Sequence, residues 1–201
     1  VASILGEPKG KGASFSKRKL EVFKAAARLF NERGFHNTTM DDIAATLDVT
    51  KPALYYYAKS KDELLFEIGR IALSETTDLL STLSTANKPG AEHLKTFFSA
   101  WTESICQEFG RCLVLTKPES LAVDSRRKSK QSRRRVQQQV LNLIQLGIAD
   151  GSIKPCDDKL LAQALFDLHN GISYWYKPGG DRTPAEIAAE YWSNFALGFG
   201  I

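Results

Sequence analysis

The chain has 201 residues, 43% of them hydrophobic, and a formal net charge of +4. That length holds one large domain, or one small and one medium, with a sizeable core. No run of eighteen or more apolar residues occurs and the N-terminal stretch lacks a leader's apolar region, so a cytoplasmic protein with no membrane partner is expected.

Residues 1–16, rich in Gly, Pro, Lys and Ser, read as a flexible basic arm. From Lys17 to Arg33 the residues Leu20, Phe23, Ala26, Ala27 and Phe30 recur at helical spacing, and Gly34 closes that helix. Thr39 caps a second helix, with Asp42 in the capping-box position and Ile43, Ala44 and Leu47 facing inward. Thr50 caps a third, with Pro52 in its first turn, where a missing N–H costs nothing, and Leu54 as its buried anchor. Ser60, with Glu63 three residues on, opens a fourth that runs to about Leu83. After a break at Asn87–Gly90, Leu94, Phe97, Phe98, Trp101, Ile105 and Phe109 give a helix with a broad aromatic face. Residues 113–123 are ambiguous. A long helix spans about Asp124 to Ala149, ended by Asp150-Gly151 and kept from continuing by Pro155. Two more follow, Asp157 to Tyr176 and Thr183 to about Gly198. No strand signal appears, so the expected fold is all-α with about nine helices.

The order helix, tight turn, short capped helix over residues 17–62 is the layout of a three-helix helix-turn-helix DNA-binding domain. Residues 63–201 would then form a helical ligand-binding and dimerisation domain. Helix starts carry free N–H groups and partial positive charge, which places Thr39 and Thr50 to meet phosphates. Tyr55 and Tyr57 offer hydroxyls, and Lys59 and Lys61 ammonium groups, to the DNA backbone. Tyr56 falls nearer the buried side. Base reading would fall to Thr50, Lys51 and Ala53, with Lys51 donating to guanine acceptors and the Ala53 methyl meeting a thymine methyl.

The quoted residues also resemble TetR-family transcriptional regulators. Gly34-Phe35, Thr38-Thr39, Ile43-Ala44, Val49-Thr50-Lys51, Leu54-Tyr55 and Lys59-Ser60-Lys61 fall at that family's spacing. The resemblance implies DNA contacts from Thr39, Thr50, Lys51, Tyr55, Tyr57 and Lys59. Two departures stand out. Asp48 occupies the turn where the family usually has Gly, and Asp tolerates a left-handed backbone better than most residues. Ala58 replaces the usual Phe and leaves a space for another side chain, Tyr56 being the candidate. The tail YWYKPGGDRTPAEIAAEYW is similar to a subset that includes regulators of fatty-acid and sterol catabolism answering to acyl-CoA effectors.

For such a regulator the partners would be a palindromic double-stranded DNA operator, a second copy of the chain and a small-molecule effector, acyl-CoA among them. Leu161, Leu165, Leu168, Tyr191, Trp192 and Phe195 suit a homodimer interface. A ligand pocket would draw on Phe97, Phe98, Trp101, Ile105, Phe166, His169, Asn170 and Trp175. The seven basic residues of Arg126–Arg135 have three readings: a solvated helix face, an extra DNA contact, which their place in the middle of the body disfavours, or an anchor for the phosphates of a ligand. Cys106, Cys112 and Cys156 include no CxxC pair and the three histidines are scattered, so no metal and no cofactor are expected. No nucleophile–base constellation occurs, which argues against an enzyme. A helical scaffold without DNA activity is the rival reading, and it leaves the capped, Tyr- and Lys-rich third helix unexplained.

Overall fold

The computed structural model describes residues 11–83 and 88–199, with side chains described for 16–83 and 88–196. Among these it is all-helical. In order come α1 (Lys11–Arg33), α2 (Met40–Thr46), α3 (Lys51–Tyr55), α4 (Lys61–Leu83), α5 (Gly90–Ile105), α6 (Glu108–Leu115), a turn of 3-10 helix (Pro118–Ser120), α7 (Val123–Ala149), α8 (Asp158–Asn170), α9 (Ile172–Trp175) and α10 (Pro184–Phe199). Three boundaries differ from the sequence expectation. Helix α1 begins at Lys11, so residues 11–16 of the expected arm are helical, while residues 1–10 lie outside the described residues. The expected helix from Asp157 to Tyr176 divides at Gly171 into α8 and α9. The ambiguous stretch contains the end of α6 and the 3-10 turn.

The chain forms two compact units. One comprises residues 1–74 and 108–131, the other 75–107 and 132–201. In the first, Phe23, Ala26 and Phe30 of α1 meet Ile43 and Ala44 of α2, Leu54 of α3, and Leu64 and Ile68 of α4 in one apolar core. Buried aliphatic and aromatic side chains supply most of the favourable free energy here, roughly 1.5–3 kcal/mol for each fully buried one. This unit extends beyond residues 17–62, because α6 and the start of α7 belong to it. Asn31 Nδ2 donates to the Glu108 carbonyl at 3.0 Å, and the Asp62 carboxylate accepts from Ala122 N at 2.6 Å and Ser125 Oγ at 2.8 Å.

In the second unit α5 is the central helix, packed against α10 and α8. Its start is fixed by backbone proximity. A Cβ on Gly90 would fall 2.2 Å from Gly147 N and 2.4 Å from Gly147 Cα, so only hydrogen fits at that contact. The exposed N–H groups of the same helix start are satisfied from the loop after α7: Gly90 N donates to Asp150 Oδ2 (2.7 Å) and Ala91 N to Ser152 Oγ (3.1 Å).

Candidate nucleic-acid interface and effector site

The turn between α2 and α3 carries Asp48 at φ +51°, the one non-glycine in left-handed conformation among the described residues. The sequence expected Asp to be tolerated there, and the short Asx side chain explains why. Helix α3 is only five residues long, too short to persist alone. It is held by Leu54, which is fully buried, and it presents Thr50, Lys51, Pro52, Ala53, Tyr55 and Tyr56 outward. That leaves an exposed surface on a helix anchored in the core.

The expected phosphate donors divide into two groups. Thr50 caps α3 with no side-chain hydrogen bond to the helix and is exposed. Lys59 is exposed as well; its backbone N–H donates to Glu63 Oε2 (2.7 Å), while Ser60 Oγ accepts from Glu63 N (3.1 Å), closing the start of α4. Thr39 is engaged within its own helix. Its N–H and hydroxyl both donate to Asp42 Oδ2, at 2.7 and 2.6 Å, and the hydroxyl accepts from Asp42 N. These bonds hold the Asp42 carboxyl below its ordinary pKa. Lys61, expected at the DNA backbone, turns inward instead. Its ammonium donates to the carbonyls of Phe35 (2.6 Å) and Thr38 (2.8 Å) and lies 4.4 Å from the Phe35 ring centre, and burial lowers its pKa. Lys61 is a staple for the α1–α2 turn, an arrangement that helical spacing alone does not reveal.

The tyrosines are also redistributed. Tyr55 is 43% exposed and Tyr56 75%, whereas Tyr57 is half-buried against the core of this unit. Ala58 is buried in the core of this unit, and the tyrosine that packs against that core is Tyr57 and not Tyr56. Tyr56, placed toward the interior from sequence, is the most exposed of the three. Its exposure follows from a reading helix that ends at Tyr55, after which helical periodicity no longer predicts direction.

In the second unit most of the expected ligand residues gather into one aromatic cluster. Phe97 stacks on Trp101 (6.1 Å), Phe98 on His169 (4.7 Å), and Phe166 meets Phe97, Phe98 and Trp101 edge-on. Trp101 Nε1 donates to Asn170 Oδ1 at 3.0 Å. His169 Nδ1 lies 2.7 Å from Thr102 Oγ1, whose hydroxyl donates to the Phe98 carbonyl (2.9 Å). The imidazole therefore carries its proton on Nδ1 and donates to Thr102. Burial pushes its pKa down to about 4, so it is neutral at pH 7.

A cavity of about 360 Å³ opens beside this cluster. Phe97 and Trp101 are the only expected ligand residues that line it; Phe98, Ile105, Phe166, His169 and Asn170 pack elsewhere, and Trp175 is 51% exposed on the surface. Leu79 and Ala100 add apolar wall, and Glu75, Thr76, Glu103, Ser104 and Gln107 add polar groups that the aromatic stripe gave no hint of. Of the expected dimer residues, Leu165 is 1% exposed and sits in the core of this unit, out of a partner's reach. Leu161, Leu168, Tyr191, Trp192 and Phe195 are partly exposed, and Leu160, Tyr174 and Trp175 are large apolar side chains open on the surface.

Two family models match the chain, one described as bacterial regulatory proteins of the tetR family over residues 22–68, the other as a tetracyclin repressor-like C-terminal domain over residues 87–199. The chain belongs to the TetR family. Its fold and its helix-turn-helix are those of this family of transcriptional regulators. The HTH-type transcriptional repressor KstR2 of Mycolicibacterium smegmatis is 28% identical over 186 residues, covering 88% of this chain and 87% of the repressor. The structure of the ketosteroid transcriptional regulator KstR2 of Mycobacterium tuberculosis superposes with a TM-score of 0.86 at 23% identity, covering 98% of each chain. AibR in complex with isovaleryl coenzyme A and operator DNA has the same fold, with a TM-score of 0.78 at 23% identity over 88% of this chain and 97% of that one. Among the described residues no helix is long and apolar enough to cross a membrane, and no group of three metal-binding side chains converges.

Proposed function

We propose that this chain acts as a homodimeric repressor in the cytoplasm, binding a palindromic operator and released by a small hydrophobic effector, with no catalytic step. The observation that carries the reading is the exposed run on α3 around the single buried anchor Leu54. A helix this short reaches few base edges, so tight specific binding calls for two heads on two half-sites about one helical turn apart. The open apolar side chains Leu160, Tyr174 and Trp175, with Leu161 and Leu168 near them in sequence and Trp192 on α10, suit a second copy of the chain.

The effector belongs in the cavity on Phe97, Trp101 and Leu79. An acyl thioester is the class we favour, in keeping with the tail resemblance, and AibR supplies a protein of this fold that holds isovaleryl coenzyme A. Glu75 and Glu103 at the lining disfavour phosphates there, so the acyl end is the part that enters. Helix α4 carries Lys61 and Asp62 at one end and Glu75, Thr76 and Leu79 at the other, which makes it the element through which occupancy can reach the reading head. A coupling of roughly 1–3 kcal/mol, about 5- to 150-fold in affinity, is enough for such a switch.

The test is a genome-fragment selection with the purified protein at fixed salt, followed by titration of the retained fragment with acyl-CoAs of increasing chain length. An enriched palindrome whose binding weakens with one chain-length class supports the reading. Uniform retention of all fragments refutes the operator, and an operator complex indifferent to every acyl-CoA refutes the effector class.

A further inference from the structure

The reading surface carries an ion pair that neither helix needs for its own formation. Lys51 Nζ, at the start of α3, lies 2.9 Å from Asp41 Oδ2, in the first turn of α2. Both side chains are exposed, and exposed pairs add little to stability. The cap of α2 is closed by Asp42, so Asp41 is not required for it. What the pair does is hold a donor and an acceptor side by side where the recognition helix begins.

We propose that Asp41 and Lys51 together read one G·C base pair of each half-site, Lys51 on the guanine and Asp41 on its cytosine. This rests on the operator-binding function above. In a G·C pair, guanine O6 and cytosine N4 are joined by a hydrogen bond, so an acceptor and a donor lie about 2.9 Å apart on the major-groove edge. Lys51 Nζ and Asp41 Oδ2 offer the complementary donor and acceptor at that spacing. The ammonium donates to O6, with N7 beside it as a second acceptor. The carboxylate accepts the N4 hydrogen that base pairing leaves free.

The other three pairs fit worse for stated reasons. A T·A pair keeps the acceptor–donor order, but a thymine methyl replaces N7 next to the ammonium, and adenine N7 faces the carboxylate as a second acceptor. The C·G and A·T orientations set a donor against the ammonium and an acceptor against the carboxylate. On DNA that does not place a G·C pair at this position Asp41 finds no matched donor, stays on Lys51, and withholds that ammonium from the phosphates. The pair thus trades general affinity for discrimination.

The experiment uses the full chain and the operator recovered by selection. Fluorescence anisotropy at fixed salt compares all four base pairs at each half-site position for the wild type, Lys51→Ala, Asp41→Ala and Asp41→Asn, with thermal melting to verify folding of each. At one position the wild type prefers G·C by about tenfold or more. Lys51→Ala and both Asp41 variants flatten the preference at that same position and leave the others intact, while the Asp41 variants bind random DNA as tightly as the wild type or more so. Full retention of the preference by the Asp41 variants overturns the proposal, as does a flattened position different from that of Lys51→Ala. A wild type that enriches no palindrome refutes the operator-binding function itself; an operator with preferences independent of Asp41 refutes the paired reading alone.

Discussion

His169 makes the stability of this protein depend on pH in a calculable way. The ring is 2% exposed, stacked on Phe98 and near Tyr191, and its pKa falls from the ordinary 6.5 to about 4 because burial penalises the charged form. A lowered folded-state pKa means that the unfolded chain binds the proton first as pH drops. The stabilisation is therefore complete above about pH 6.5, is lost as pH falls from there, and is gone below about 4. At pH 5 nearly every unfolded His169 and about one folded in ten would be protonated, which costs about 2 kcal/mol relative to pH 7. Replacing the side chain by one that does not titrate, His169→Gln, removes this contribution and keeps an N–H that can donate to Thr102. Urea unfolding at pH 7 and pH 5, at one protein concentration, should show the wild type losing about 2 kcal/mol more than the variant between the two conditions. Equal losses would mean that the folded imidazole accepts a proton as readily as the unfolded one, and the buried neutral assignment would be wrong.

Gly90→Ala places a Cβ against the Gly147 backbone and 2.7 Å from the Leu143 carbonyl, none of which can rotate away. A loss of about 1–3 kcal/mol is expected, read as a melting temperature several degrees lower. Tyr56→Ala should leave the melting temperature within a degree or two while weakening operator binding, whereas Tyr57→Ala should lower stability by about 1 kcal/mol or more; the reverse pattern in calorimetry and anisotropy would invert their assignments. Lys61→Met removes the donor from the turn carbonyls of Phe35, His36 and Thr38 and should cost about 1–2 kcal/mol of stability, with the salt slope of DNA binding unchanged. Lys59→Ala should do the opposite, leaving stability alone and reducing that slope by about one phosphate's worth in salt-dependent binding curves.

Sequence patterning revealed the helices and the reading head because both follow local rules. Capping residues, a left-handed turn and a 3.6-residue period act over a few neighbours, so Thr39, Asp48, Thr50 and Leu54 could be assigned without a fold. The misplaced residues depend on distant chain. The inward turn of Lys61 requires the carbonyls of Phe35 and Thr38, more than twenty positions away. The joining of α6 to the reading unit rests on bonds such as that between Asn31 and Glu108. The aromatic stripe of α5 was legible as an apolar face, but a stripe does not say which rings pack on each other and which border space. Only Phe97 and Trp101 do the latter, and the carboxylates that line the same cavity, Glu75 on α4 and Glu103 on α5, lie outside that stripe.

The reading head has a pattern in where its charged and hydroxyl groups point. Thr39 is held by Asp42, Lys61 by backbone carbonyls and Lys51 by Asp41, so three of the groups best placed by sequence to meet DNA already have partners in the free protein. Each partner must be matched or displaced before a phosphate or base can take its place, and random DNA seldom presents the matching base edge at the right position. On the proposed reading, non-specific affinity rests mainly on Thr50, Tyr55 and Lys59, all exposed. Operator DNA sets a matching base pair in place, which can satisfy donor and acceptor of the Lys51–Asp41 pair at once. A head built this way loses affinity for DNA in general and keeps it for one sequence, which is the balance a repressor needs when competing sites outnumber the operator by many orders of magnitude.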